Sequence, residues 1–325
     1  MASTGFMRLV GCSLPVQQAG MGSIASPELA AAVSEAGGLG MLGTARVGMN
    51  AGVLTTLLRR VKALTTRPFG VNFIVSPSHI DGRQVRPVLD LDCVAIAAQA
   101  AQVVEFFYGD PDPRLVEIAH AGGALASWQV GSVEEAVQAE RAGCDIVVVQ
   151  GIEAGGHVRG TTALNTLLAE SLGAVRVPVL AAGGIGTASD VAAALKAGAD
   201  GVRLGTRFVA ALEAEAHPAY VAALIDAGAE DTVWTMAFHV GFPDAPHRVL
   251  QRCIAAAEAF DGDVVGESLR MDGTRGPIRR FATSTVGAGT TGTIEAMPLW
   301  AGKSVGAVTH VQPAAEILRE VTTAM

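Results

Sequence analysis

Along this chain, Ala-rich stretches with helical spacing end in Ala-Gly and pass at once into short runs of Val, Ile and Leu. Ser34-Glu35-Ala36-Gly37-Gly38 leads into Leu39–Leu42, and His120-Ala121-Gly122-Gly123 leads into Ala124–Trp128. Arg141-Ala142-Gly143 precedes Ile146–Val149, and Lys196-Ala197-Gly198 precedes Gly201–Leu204. Glycine accepts the left-handed conformation just past a helix, so each junction reads as the αβ loop of a repeated βα unit. Continuous apolar runs, rather than alternating ones, suit parallel strands buried on both faces. Eight are predicted: Pro15–Gln18, Leu39–Leu42, Phe69–Ile74, Val103–Phe107, Ala124–Gln129, Ile146–Gln150, Val179–Ala182 and Gly201–Leu204. Eight such units predict a closed α/β (β/α)8 barrel rather than an open doubly wound sheet.

After the eighth strand the pattern changes. Pro218–Gly228 and Arg248–Phe260 read as helices, Asp231–Pro246 as irregular, Gly262–Gly292 as loop, and Pro313–Ala324 as a final amphipathic helix. The expected organisation is a barrel over about 1–214 plus about 311–325, with a smaller, mostly helical cap inserted at about 215–310. A second irregular patch, Ser76–Asp92, follows strand three.

Composition narrows the class. Of 325 residues, 50% are hydrophobic and 17% charged, which excludes a disordered chain and permits a large core. A net charge of −8 without a basic run argues against nucleic acid or an anionic membrane as partner. Mean hydropathy is +0.39, yet no run of about 20 apolar residues is present, so no transmembrane helix is expected. Leu9-Val10-Gly11-Cys12 superficially resembles a lipoprotein cleavage box, but the apolar segment that should precede it is missing. Cys12, Cys93, Cys144 and Cys253 include no Cys-x-x-Cys pair, so the expectation is a reducing cytoplasm, no zinc site and no bound metal. The Ala-rich helices would allow a homodimer.

Barrel enzymes carry their chemistry on the loops after the strands. Strand one is followed by Ala19-Gly20-Met21, whose small residues admit a flat ligand to the backbone. Strand three carries Asn72 and strand five ends in Gln129. Strand six ends in Gln150-Gly151-Ile152-Glu153-Ala154-Gly155-Gly156-His157. Ala182-Gly183-Gly184 and Gly205-Thr206 follow strands seven and eight, where backbone N–H groups build the usual barrel phosphate site. His157 is the candidate general base, since an imidazole titrates near neutral pH. Glu153 would orient its loop; His239 and His247 fall in the cap, where lining the site is the lesser reading, and Trp128 and Trp234 could each stack on a ring, with packing at least as strong a reading.

Gln18-Ala19-Gly20-Met21, Pro68-Phe69-Gly70-Val71-Asn72, the Gln150–His157 loop, Ala182-Gly183-Gly184-Ile185 and Gly205-Thr206-Arg207-Phe208 resemble, in order from about residue 6 to 325, the nitronate monooxygenase family, formerly 2-nitropropane dioxygenases. The same loop pair occurs in flavin-dependent enoyl-acyl-carrier-protein reductases. The resemblance implies an FMN-binding TIM barrel. Ala19, Gly20 and Met21 would pack near the isoalloxazine, and Asn72 would meet its polar edge. Gly183, Gly184, Gly205 and Thr206 would hold the phosphate, while Gln150, Ala182, Gly155 and Gly156 would complete the wall. His157 would be the catalytic base. Gln129 stands where many relatives carry Lys, and a neutral amide stabilises an anionic reduced flavin less. The expected reaction takes an alkyl nitronate, or a neutral nitroalkane, with O2 to a carbonyl compound and nitrite. The alternatives are an NAD(P)H-dependent flavin reductase acting on a quinone or an enoyl thioester, and a catalytically idle ligand-binding protein.

Overall fold

A computed structural model describes residues 3–75, 79–80, 83–84 and 89–325. Its central element is a ring of eight parallel strands: β1 (Val16–Gln18), β2 (Gly40–Gly43), β3 (Phe69–Ile74), β4 (Val103–Phe107), β5 (Leu125–Val130), β6 (Ile146–Gln150), β7 (Val179–Ala182) and β8 (Gly201–Leu204). Each pairs with the next in parallel register from β2 to β8, and β8 pairs with β1. A parallel bridge between Gln17 and Leu39 closes the ring. The fold is the expected α/β TIM barrel. All eight predicted strands form, with β1 one residue shorter and β2 and β5 shifted by one residue along the chain.

The helices after the strands are α1 (Pro27–Glu35), α2 (Ala51–Leu64), α3 (Leu91–Ala98), α4 (Pro113–Ala121), α5 (Val133–Arg141), α6 (Leu164–Ala174), α7 (Ala188–Lys196) and α8 (Ala314–Thr322). Their starts follow local rules. Ser26 accepts from the Leu29 N–H and Pro27 opens α1, while Thr187 and Asp190 form a reciprocal capping pair at α7. Their ends follow the Ala-Gly pattern, with Gly37, Gly123, Gly143 and Gly198 at φ between 90° and 107°. The last helix packs between α7 and α1 and completes the outer ring. One hydrophobic cluster lies between the strands' outer faces and the helices, and it contains Val71, Phe106, Trp128 and Val147. A second fills the lower barrel: Leu39, Met41, Val103, Ile146 and Leu180 meet Phe6 and Val10 of a short helix, Gly5–Val10, that plugs the mouth opposite the strand ends.

The segment between β8 and α8 departs from its sequence reading. It contains helices at Pro218–Ile225 and Gln251–Ala259. Asp231–Pro246 and Arg248–Phe260 are corrected at their ends, because Thr232–Thr235 and His247–Leu250 are paired antiparallel strands. Gly262–Gly292 is corrected from loop to sheet: Val264–Leu269 pairs with Arg275–Arg279 and with Thr291–Gly292. The Gly and Thr content there serves the turns of a short, half-exposed sheet, whose strands lack a long apolar run. This segment has its own buried cluster, including Tyr220, Phe238, Leu250, Cys253 and Met297. The irregular patch expected at Ser76–Asp92 falls largely outside the described residues; those described are short strands at His79–Ile80 and Arg83–Gln84 and the start of α3. Among the described residues no helix is long and apolar enough to cross a membrane, and no group of His, Cys, Asp or Glu could hold a metal ion.

Phe6 is fully buried inside the barrel base. Phe6→Ala is expected to lower the unfolding free energy by about 3–5 kcal/mol in urea denaturation. A loss under about 1 kcal/mol would show that the short helix does not seal the barrel.

Candidate active site

The strand ends bring the expected residues to one mouth. Ala19 N–H donates to the Leu204 carbonyl at 2.8 Å, which ties the β1 loop to the end of β8. A Cβ on Gly205 would sit 3.5 Å from Ala19 Cβ and 3.9 Å from Met21 Sδ. A Cβ on Gly20 would collide with the Asn72 side chain. Ala19, Gly20, Met21, Asn72 and Gly205 therefore form one wall, and only glycine fits at 20.

The opposite wall is the β6 loop. Gly151 N–H donates to the Ala182 carbonyl at 2.9 Å, and Ala154 N–H to the Gly151 carbonyl at 3.1 Å. Gly183 and Gly184 have φ of 111° and 71°, and Cβ atoms there would press on Ala154 and Glu153 at 3.1 Å. A Cβ on Gly155 would strike the backbone of Ala301 and Gly302. Residues 301–303 brace this loop from the distant segment. Lys303 N–H donates to the Glu153 carbonyl at 2.9 Å, and Gly302 N–H donates to Thr206 Oγ1 at 3.0 Å. Thr206 thus has its oxygen engaged and its hydroxyl hydrogen left as a donor. Glu153 does orient the loop, its carboxylate accepting the Leu164 N–H at 3.1 Å at the start of α6.

Below the mouth the barrel interior is polar. Glu105 is fully buried, and its Oε1 lies 2.6 Å from Arg203 Nη1 and accepts from Asn72 Nδ2 at 2.9 Å. Its Oε2 accepts from Gln17 Nε2 at 3.0 Å. Gln129 is buried at an inward position beside Val148. Gln150 Nε2 donates to the His157 carbonyl at 2.9 Å, and its Oε1 is buried with no hydrogen-bond partner among the described residues.

His157 sits in a cage of rings. Gly156–His157 forms a short strand that pairs antiparallel with His247–Leu250, His247 directly opposite His157. Ring centroids of Phe242, Trp300, Tyr108 and His247 lie 5.0, 5.3, 5.7 and 5.9 Å from that of His157. Tyr108 has φ 86°, a conformation uncommon outside glycine, and burial pushes its phenol up to about 12. Trp300 Nε1 donates to the Ser284 carbonyl at 3.0 Å.

Of the two cap histidines, His247 lies beside His157. Its Nδ1–H donates to the Ala245 carbonyl at 2.9 Å, and its Nε2 accepts from Phe238 N–H at 3.3 Å. Both nitrogens are committed to a neutral ring, and burial holds it below the ordinary imidazole range. His239 does not join the site; it stacks on Phe281 with ring centroids 6.2 Å apart. Arg248 anchors the sheet, donating from Nε and Nη2 to the Ile152 carbonyl at 3.1 and 2.9 Å. Trp128 is buried against Phe106 between barrel and helices, its indole N–H donating to the Gly109 carbonyl at 3.0 Å. The sequence reading missed Tyr108, Phe242, Trp300, Glu105 and Arg203. Tyr108 had a signal, since it directly follows a predicted strand. Trp300 had none, because nearly 150 residues separate it from His157 along the chain.

A closed parallel barrel whose strand ends bring small residues, buried amides and a caged histidine to one mouth defines an α/β-barrel enzyme. The chain matches the family model described as nitronate monooxygenase over residues 4–324, and it belongs to that family, an oxidoreductase family. It is 37% identical over 268 residues to a nitronate monooxygenase from Pseudomonas aeruginosa, covering 71% of this chain and 76% of that one. It is 35% identical over 263 residues to a (3aS,4S,5R,7aS)-5-hydroxy-7a-methyl-1-oxo-octahydro-1H-indene-4-carboxyl-CoA dehydrogenase from Rhodococcus jostii, covering 81% and 70%. Among solved structures it is similar to FabK from Thermotoga maritima, with TM-score 0.78 and 29% identity over 99% of this chain and 95% of that one.

The neutral ring of His247 has a pH signature. Its folded-state pKa lies below the ordinary 6.5, so its contribution to stability is present above that value and is lost as pH falls towards the folded pKa. Thermal or urea unfolding between pH 7 and 5 should show stability falling below about 6.5, less steeply in His247→Asn. Identical slopes in the two proteins would remove His247 as a source of acid sensitivity.

Proposed function

We propose that this chain oxidises alkyl nitronates, and neutral nitroalkanes as well, to a carbonyl compound and nitrite, using FMN and O2. The observation that carries this reading is His157 held in an aromatic cage over a mouth floored by buried amides and walled by glycine. The mouth suits a flat, anionic cofactor. Gly20, Gly155, Gly183 and Gly184 remove the side chains that would block backbone approach, and buried Gln150 Oε1 waits for a hydrogen-bond donor. The residues assigned to FMN are Ala19, Gly20, Met21, Asn72, Gln129, Gln150, Gly155, Gly156 and Ala182, with Gly183, Gly184, Gly205 and Thr206 for its phosphate. When bound, FMN supplies the electron acceptor and the centre that reacts with oxygen.

The chain's own residues do the rest. His157 accepts the α-proton of a neutral nitroalkane or, protonated, holds the nitronate oxygens. Tyr108, Phe242 and Trp300 exclude water around that ring and favour an alkyl chain. Residues of about 215–310, which carry Phe242, His247 and Trp300, act as the substrate-side cap over a barrel of about 1–214 plus 311–325. The setting is the cytoplasm, and the small-molecule substrate and O2 are the only partners required.

A second reading, an NAD(P)H-dependent flavin reductase, is favoured by two observations. The inward position of β5 holds a neutral Gln129 rather than a cation, and the chain is similar to a dehydrogenase of a CoA thioester. Anaerobic stopped-flow on the FMN-loaded protein separates the two. Rapid bleaching of flavin absorbance by an alkyl nitronate, and none by NADH or NADPH, is the expected result; the reverse would establish the reductase. His157→Ala should lower turnover of a neutral nitroalkane by about 10²-fold or more, with FMN retained. Unchanged turnover of the neutral substrate would rule out His157 as its base.

A further inference from the structure

The polar group in the barrel interior has no place in the chemistry just described, yet it touches the floor of the site. Asn72 is where the two meet. Its amide has a donor end and an acceptor end of almost equal size, and which end faces the mouth decides what it can recognise. Glu105 settles this. Its carboxylate is fully buried, and its Oε1 lies 2.6 Å from the Arg203 guanidinium, a group that can only donate, so that oxygen is an acceptor. The Asn72 atom 2.9 Å from that same oxygen must then be the NH2 group. The oxygen is then turned to the mouth. It lies against Gly20, 2.7 Å from where a Cβ there would stand, and no protein group donates to it among the described residues.

We propose that the Glu105–Arg203 ion pair is a positioning device that fixes Asn72 as a hydrogen-bond acceptor towards the bound ring. The inference rests on the flavin reading above and goes beyond it by naming the edge that residue 72 reads. Oxidised isoalloxazine carries a single ring N–H, at N3, flanked by the C2 and C4 carbonyls. An amide fixed as an acceptor selects N3–H and cannot serve either carbonyl. Gln17 completes the device by donating to the other carboxylate oxygen at 3.0 Å, which keeps Glu105 from rotating away from Asn72. Without Glu105, the amide could turn over and offer its donor to a carbonyl instead.

The test uses the full chain reconstituted with FMN labelled with 15N at N3 and 13C at C2 and C4. In the wild type the N3–H resonance should be protected from exchange with water. Asn72→Ala should abolish this protection, by about tenfold or more in exchange rate, and leave the C2 and C4 shifts nearly unchanged. Glu105→Gln, whose own amide can face Asn72 either way, should reduce the protection several-fold at equal flavin occupancy. Should that variant not fold, Gln17→Ala, which removes the second hold on Glu105, reads the same loss; full N3–H protection in whichever variant folds would overturn the positioning role. A change at C2 or C4 on Asn72→Ala, with N3–H protection intact, would show the amide donating and overturn the inference. A chain that takes up no FMN at all would instead overturn the flavin reading on which it rests.

Discussion

The structure turns on a charge pair placed where a barrel would ordinarily put hydrocarbon. Glu105 on β4 and Arg203 on β8 face each other across the interior, 0% and 6% exposed. Taking both ions out of water costs several kcal/mol each, and their attraction offsets this only if the remaining polar atoms find partners. Asn72 from β3 and Gln17 from β1 supply them for the carboxylate. Four strands are thereby cross-linked through one carboxylate, with side chains that have few alternatives. The apolar layer below, sealed by Phe6, keeps this group dry from one side. The site lies on the other. The floor of the mouth is thus the outer face of a network already committed inside the barrel.

The upper wall is set by a different constraint, close backbone approach. The β6 loop, the β7 turn and residues 301–303 pack main chain to main chain, and Gly155, Gly183 and Gly184 are the positions where a side chain would force them apart. The distant segment is thus part of the barrel mouth. Its short antiparallel pairing of His157 with His247 fixes the histidine's ring among aromatic neighbours at Tyr108, just past β4, and at residues 242 and 300.

This division explains what was legible beforehand. Strand and helix positions in the barrel were readable because helix ends at Gly37, Gly123, Gly143 and Gly198 are set by local backbone conformation. Asn72 stood out as a polar residue within an apolar strand, and His157 through the glycines before it. Glu105 and Arg203 were hidden in the same kind of strand, since a charge there signals nothing until its partner on the other side of the ring is known. The strands at Thr232–Thr235, His247–Leu250 and Val264–Leu269 were missed for a related reason: they are stabilised by pairing with distant segments, and their own sequences carry neither alternation nor a long apolar run.

Two histidines face each other at the mouth, and the structure leaves one of them no place for a second proton. Both nitrogens of His247 are used, one donating to Ala245 and one accepting from Phe238, so protonation there would break a hydrogen bond and bury a charge. Its neutrality also spares His157 a cation 5.9 Å away. His247 is therefore held as a neutral ring, a fixed part of the cage around His157 rather than a second charge within it.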